Sequence, residues 1–342
     1  MCQEKKRLRW LDCAKGVAIL LVVLGHAVTS AVRKDSQIVF TIFDCVYFMH
    51  MPFFMFLSGL GYQIAEKKYR ECSVKKLLVS KAKNLLLPYA VYTTLVFLVF
   101  VGANMLPKIG DMMKNAGYGP ISVWQWLIGM VIGDNVYCIH VWYIYVLFLF
   151  TIGTFLARKC LPGIADGLLL VLAVVLIFVK WYTGEPDIEA YSNLCNWAIW
   201  FWLGTKFNMD KVKPAVGWLL FGVGVILFWV DYLGVLPFGS LPYGFWLHLP
   251  VKFCIVIGLT VIIKSVCTSG NRGFEYLGTH SMEIYLFHQP FFGSCFGSIF
   301  YGVLHLPMAL VICGSVVCSV AVPLLAGYCL RRTKFKVLFG LK

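Results

Sequence analysis

Long apolar runs separated by short polar segments fill the chain from end to end. Crossing the roughly 30 Å hydrocarbon core of a bilayer takes about 20 residues of helix. Runs near that length occur at 11–29, 43–64, 85–105, 141–157, 163–180, 191–207, 215–232, 250–264, 275–299 and 305–330. The pattern predicts an all-α integral membrane protein with about ten transmembrane helices in one bundle. No interval between the runs is long enough for a separate soluble domain, and the sequence shows neither an internal repeat nor a low-complexity segment.

One further apolar stretch, "VWQWLIGMVIG" at 123–133, is too short to cross. It reads as a re-entrant or interfacial segment with Trp124 and Trp126 at headgroup level, inside a long extracytoplasmic loop over 106–140. The first run follows "KKRLR" and is trailed by small residues, as in a secretory signal. Asp12 and Lys15 interrupt its apolar part and nine more runs follow it, so an uncleaved anchor is expected.

Composition sharpens this picture. Of 342 residues, 60% are hydrophobic and only 13% are charged, which excludes a soluble protein of this length. A net charge of +14 is compatible with nucleic-acid binding, but its distribution points to a membrane. With the N-terminus in the cytoplasm, the inner segments hold 23 of the 30 Lys and Arg and the outer segments hold six, the last being Lys15. That asymmetry is the positive-inside bias, with basic loops against an anionic leaflet. Both termini are expected in the cytoplasm, with no nucleic-acid partner. The 13 cysteines are scattered without a C-x-x-C pair and read as small hydrophobes inside the spans. No metal site is expected.

The candidate chemistry lies in polar residues inside the spans, where a charge costs roughly 2.5–3.5 kcal/mol even on lenient scales. In "LDCAKGVAILLVVLGHAVTS" at 11–30, Lys15 and His26 are about three helical turns apart and share a face, roughly 16 Å apart along the axis. Asp12 precedes Lys15 by one turn and is placed to pair with it. At about 1.5 Å per residue, His26 of the first run, His50 of the second and His288 of the ninth all fall some 18–22 Å above the inner surface. Imidazoles from three spans at one depth point to a site.

In "YFMHMPFFMFLSGLGY" at 47–62, Pro52 is expected to kink the helix and free carbonyls beside His50. Ser58, Gly59 and Gly61 there allow close helix approach. "HVWYIYVLF" at 140–148 places His140, Trp142 and Tyr143 at the outer interface. "LGTHSMEIYLFHQP" at 277–290 puts Ser281, Tyr285 and His288 on one helical face, with Glu283 directed elsewhere.

Taken in order, these four stretches resemble the acyltransferase 3 family of membrane O-acyltransferases, in particular its fucose 4-O-acetylase-like branch. The resemblance covers about 7–330 and leaves 331–342 as a basic cytoplasmic tail. It implies transfer of an acetyl or similar acyl group from a cytoplasmic acyl-CoA, acetyl-CoA serving as co-substrate. The implied acceptor is a hydroxyl of a cell-surface carbohydrate or of its lipid-linked glycan precursor. It also implies a multi-pass protein of the cell membrane. Many relatives carry Arg eleven residues before the first-span His. Lys15 stands there in this chain, keeping the charge without the planar fork.

Acyl transfer to a hydroxyl needs a group to take the proton as oxygen attacks the thioester carbonyl, and neutral imidazole suits that task. His26 is the expected base, or alternatively a covalent acyl carrier. Lys15, oriented by Asp12, is expected on the donor path. His50 and His288 would hold the acceptor or support the oxyanion. Ser58, Trp142, Tyr143, Ser281 and Tyr285 complete the expected binding residues. A competing reading is a transporter or flippase of a lipid-linked saccharide. Such proteins usually show repeated halves with broken helices, and no repeat is present.

Overall fold

The computed structural model describes all residues except 1–7, 109, 112–120, 185–187, 237–243, 269, 292, 294–299, 303 and 342, and the side chains of 31 and 244–247. Its elements are helical, with no strand among the described residues. In chain order they are α1 (Arg9–Ala27), α2 (Ser30–Lys34), α3 (Gln37–Arg70) and α4 (Val74–Asn104). After these come α5 (Val123–Ile132), α6 (Trp142–Cys160), α7 (Ala165–Thr183), α8 (Glu189–Lys206) and α9 (Pro214–Tyr232). The last four are α10 (Gly244–Val266), α11 (Arg272–Thr279), α12 (Ser281–Phe287) and α13 (Met308–Arg331).

Eight helices among the described residues are long and apolar enough to cross a membrane: α1, α3, α4, α6, α7, α9, α10 and α13. The other two of the ten predicted spans differ from expectation for separate reasons. The run at 191–207 forms an 18-residue helix, α8, but Asn193, Asn196 and the terminal Glu189 and Lys206 dilute its apolar character. The run at 275–299 is not one helix. It breaks at His280, whose φ of −105° and ψ of 10° leave the helical range, and α12 then ends at Phe287. Residues 294–299 of that predicted span lie outside the described residues.

The short apolar stretch at 123–133 is the ten-residue helix α5, about 15 Å long by its rise and too short to cross. Gly133 ends it in the left-handed region at φ 78°, as a helix C-terminus favours. Two of its last carbonyls are satisfied by tyrosines of neighbouring helices. Tyr89 of α4 donates to Met130 at 3.1 Å, and Tyr145 of α6 donates to Val131 at 2.8 Å. Trp124 is exposed, whereas Trp126 stacks on Phe97 with ring centroids 5.0 Å apart.

Glycines set the closest helix crossings. A Cβ at Gly59 would run into the Phe201 carbonyl, and one at Gly204 into the Phe56 carbonyl, so α3 and α8 cross backbone to backbone. Gly16 and Gly278 make the matching contact between α1 and α11, against Phe274 and Asp12. Gly61, expected to share this role, faces open space. Pro52 sits inside α3 without ending it.

Ion pairs tie the basic corners of the bundle together on one face. Arg158 contacts Glu66 at 3.2 Å and Asp166 at 2.7 Å, Lys206 reaches Asp166 at 2.7 Å, and Lys264 reaches Asp210 at 2.5 Å. This is called the basic face below.

Candidate active site

The α1–α11 crossing brings the first and ninth apolar runs together and so fixes the site. From the basic face, a cavity of about 300 Å³ enters the bundle, lined by Lys15, Ser58, Tyr69, Lys81, Tyr143, Ser281 and Tyr285. Lys81 donates to the Tyr69 hydroxyl at 2.7 Å at its mouth. Deeper in, the Ser58 hydroxyl bonds to the Phe54 carbonyl at 2.8 Å and meets the Tyr143 hydroxyl at 2.6 Å. Tyr143 packs against Tyr285 with ring centroids 5.2 Å apart.

Beyond Tyr285 stands a group of imidazoles. His26 and His288 have ring centroids 5.2 Å apart, and His288 and His140 are also 5.2 Å apart. Tyr47 links His26 to His50, at 6.3 and 4.7 Å respectively. His288 is fully buried. Its Nδ1 lies 2.8 Å from the Tyr285 carbonyl and 3.1 Å from the Ile284 carbonyl, so Nδ1 carries the proton and donates. Its Nε2 is then a bare lone pair with no hydrogen-bond partner among the described residues. His50 repeats the arrangement, with Nδ1 at 2.9 Å from the Val46 carbonyl one turn back. In both rings Nδ1 is engaged by the backbone, which leaves Nε2 as the nitrogen open to a substrate or a neighbouring group. No group of three or more His, Cys, Asp or Glu among the described residues has the geometry to hold a metal ion.

The structure thus brings Lys15, Ser58, Tyr143, Ser281 and Tyr285 to one cavity, and gathers His26, His50 and His288 in a cluster outside its lining that touches it through Tyr285. Asp12 is buried at the α1–α11 crossing. Trp142 lies outside the cavity lining and stacks on Trp197 of α8 at 6.4 Å. Tyr143 departs from its expected place at the outer interface and is buried in the bundle. His140, placed with it at that interface, instead packs among the histidines with Nε2 3.3 Å from the Leu286 carbonyl. The cause is the turn after α5, which carries 134–141 inward before α6 begins. Sequence reasoning missed His140 as a member of this group, although "IH" just ahead of an apolar run was the available signal.

Glu283 has a partner on another helix: Arg331 of α13 donates to its Oε1. The carboxylate lies against Gly327, where no side chain intrudes. It braces α12 and stands apart from the cavity lining.

A multi-pass helical membrane protein with buried imidazoles gathered beside an internal cavity has the makings of a group-transfer enzyme. The chain matches the acyltransferase 3 family, described as an acyltransferase domain, over residues 8–328, and it belongs to that family. It is a membrane acyltransferase, which sets the transporter reading aside. No curated protein and no solved structure matches the chain.

Proposed function

We propose that the protein is an O-acyltransferase of the fucose 4-O-acetylase-like kind, resident in the cell membrane. It moves an acetyl or similar acyl group from cytoplasmic acyl-CoA to a hydroxyl of a cell-surface carbohydrate or its lipid-linked glycan precursor. The observation that carries this reading is the His26–His288 pair, which meets the Lys15 cavity through the cavity-lining Tyr285. On this reading the basic face is cytoplasmic, both termini lie there, and the donor enters from it. A second cavity, also of about 300 Å³, shares Tyr62 and Tyr69 with the first and adds Arg70, Arg158 and Lys159. Arg70 and Arg158 are paired with Glu66 and Asp166 of the same lining, which leaves Lys159 for the donor's phosphates, with the pantetheine arm running past Lys15 as a point charge.

His26 takes the proton of the acceptor hydroxyl as its oxygen attacks the thioester carbonyl. The new C–O bond forms, the C–S bond breaks, and the imidazolium returns the proton to the departing thiolate. His288, through its bare Nε2, orients His26 or the hydroxyl. Tyr143 donates to Ser58, which donates in turn to the Phe54 carbonyl, so the two hydroxyls form a fixed polar wall along the path of the thioester. Ser281 and Tyr285 line the donor's cavity, and His50 and Trp142 shape the acceptor side.

Purified protein supplied with acetyl-labelled acetyl-CoA and membrane glycans tests this reading. Ester-linked label on carbohydrate, absent with His26→Ala, is expected. Label that stays in CoA, or that moves to an amine, would overturn it.

A further inference from the structure

A third cavity, of about 250 Å³, lies between α7, α8 and α10, away from the basic face, and is lined by Lys180, Lys252, His248, Asn196, Trp197 and Trp200. The positive-inside bias disfavours lysines at this end of the bundle, and an ammonium within a spanning helix is costly. Yet two lysines converge here. Lys180 Nζ donates to Ser192 Oγ at 3.2 Å and to Asn196 Oδ1 at 3.0 Å. Lys252 Nζ lies over the Phe48 ring, 4.8 Å from its centroid, and has no carboxylate in ion-pair range among the described residues. His248 is engaged by Asp231 at 2.7 Å.

Lys252 brings its charge to this cavity with no carboxylate in ion-pair range among the described residues, and an anion bound there relieves it. The cavity adjoins the proposed acceptor side along two connections. Lys252 rests on Phe48, which stands two residues before His50 on α3. Trp197 stacks on Trp142, the neighbour of Tyr143. Trp197 and Trp200 add aromatic surface of the kind that packs on sugar rings.

We infer that this cavity is an oxyanion subsite that takes a carboxylate or phosphate of the acceptor, so that the acceptor is an acidic glycan and not a neutral one. The inference rests on the acceptor-side reading above, and its test is a binding measurement that needs no transfer. The full chain in phosphatidylcholine nanodiscs is titrated calorimetrically with tetragalacturonate, glucose 1-phosphate and neutral maltotetraose.

At least tenfold tighter binding of one acidic probe than of maltotetraose is expected, and the better probe identifies the oxyanion. Lys252→Gln should weaken that binding tenfold or more, as loss of a charged hydrogen bond does, while Lys252→Arg retains it. Equal affinity for acidic and neutral probes, no binding of either acidic probe, or no effect of Lys252→Gln would overturn the inference. So would anionic lipid retained by the wild type from phosphatidylglycerol nanodiscs, lost in Lys252→Gln and not displaced by the acidic probes, because the cavity would then be a lipid-headgroup site. Failure of label transfer with acidic-probe binding intact would strike the acyltransfer reading alone.

Discussion

His26 and His288 meet with ring centroids 5.2 Å apart, although one belongs to the first helix and the other follows a short helix near the far end of the chain. Because the Nδ1–H of His288 is held by the Tyr285 carbonyl at 2.8 Å, only Nε2 is left to work with. His288→Gln is expected to lower the turnover number by about 10²-fold, within the range of a positioned acid–base group. The thermal unfolding temperature should change little. Unchanged turnover in a folded variant would make His288 a packing residue.

Lys15 is expected to act through its charge. Lys15→Met should raise the donor KM severalfold or more, while Lys15→Arg keeps much of the activity. If Lys15 only neutralises Asp12, the double variant Asp12→Asn/Lys15→Met would recover donor binding, because no uncompensated charge would remain in the membrane. Donor titrations of the three variants separate the two roles.

The glycine crossings give a stability contrast. Gly59→Ala forces a Cβ onto the Phe201 carbonyl at the α3–α8 contact, whereas Gly61→Ala meets nothing within 4 Å. Gly59→Ala should cost about 1–3 kcal/mol, the usual range for overpacking. Gly61→Ala should be neutral or slightly stabilising. Denaturation in detergent compares them directly.

Much of the fold was legible in the apolar runs, because a spanning helix must satisfy its own backbone and therefore needs length and apolarity in one segment. The shared face of Lys15 and His26 follows from helical spacing alone. The break at His280 was not legible, since neither Pro nor a Gly pair marks it. His140 escaped notice because its position depends on how 134–141 folds back under α5, and no periodicity records that. The partner of Glu283 lies on α13, so only packing between helices reveals it.

The Glu283–Arg331 pair is expected to be structural. Glu283 is 3% exposed and Arg331 27%, so Arg331→Met leaves a carboxylate buried without its counter-charge. A loss of about 3–5 kcal/mol is expected, with partial recovery in Glu283→Gln/Arg331→Met. Equal stability of the single variant and the wild type in the same unfolding assay would show that the carboxylate is already neutral.

The charge asymmetry predicts an orientation with the basic face in the cytoplasm. In a background freed of its 13 cysteines, a Cys at Ser73 should resist an impermeant thiol reagent added from outside, and a Cys at Leu106 should react. The reverse labelling would invert the bundle and move the donor entrance to the other side of the membrane.

The most direct measurement is transfer of labelled acetyl from acetyl-CoA to a glycan hydroxyl by purified His26→Ala, alongside wild type of matched folding and membrane insertion. The base or acyl-carrier role of His26 requires turnover to fall to background while donor binding persists. Near-normal turnover in a well-folded His26→Ala protein would contradict the account at its centre.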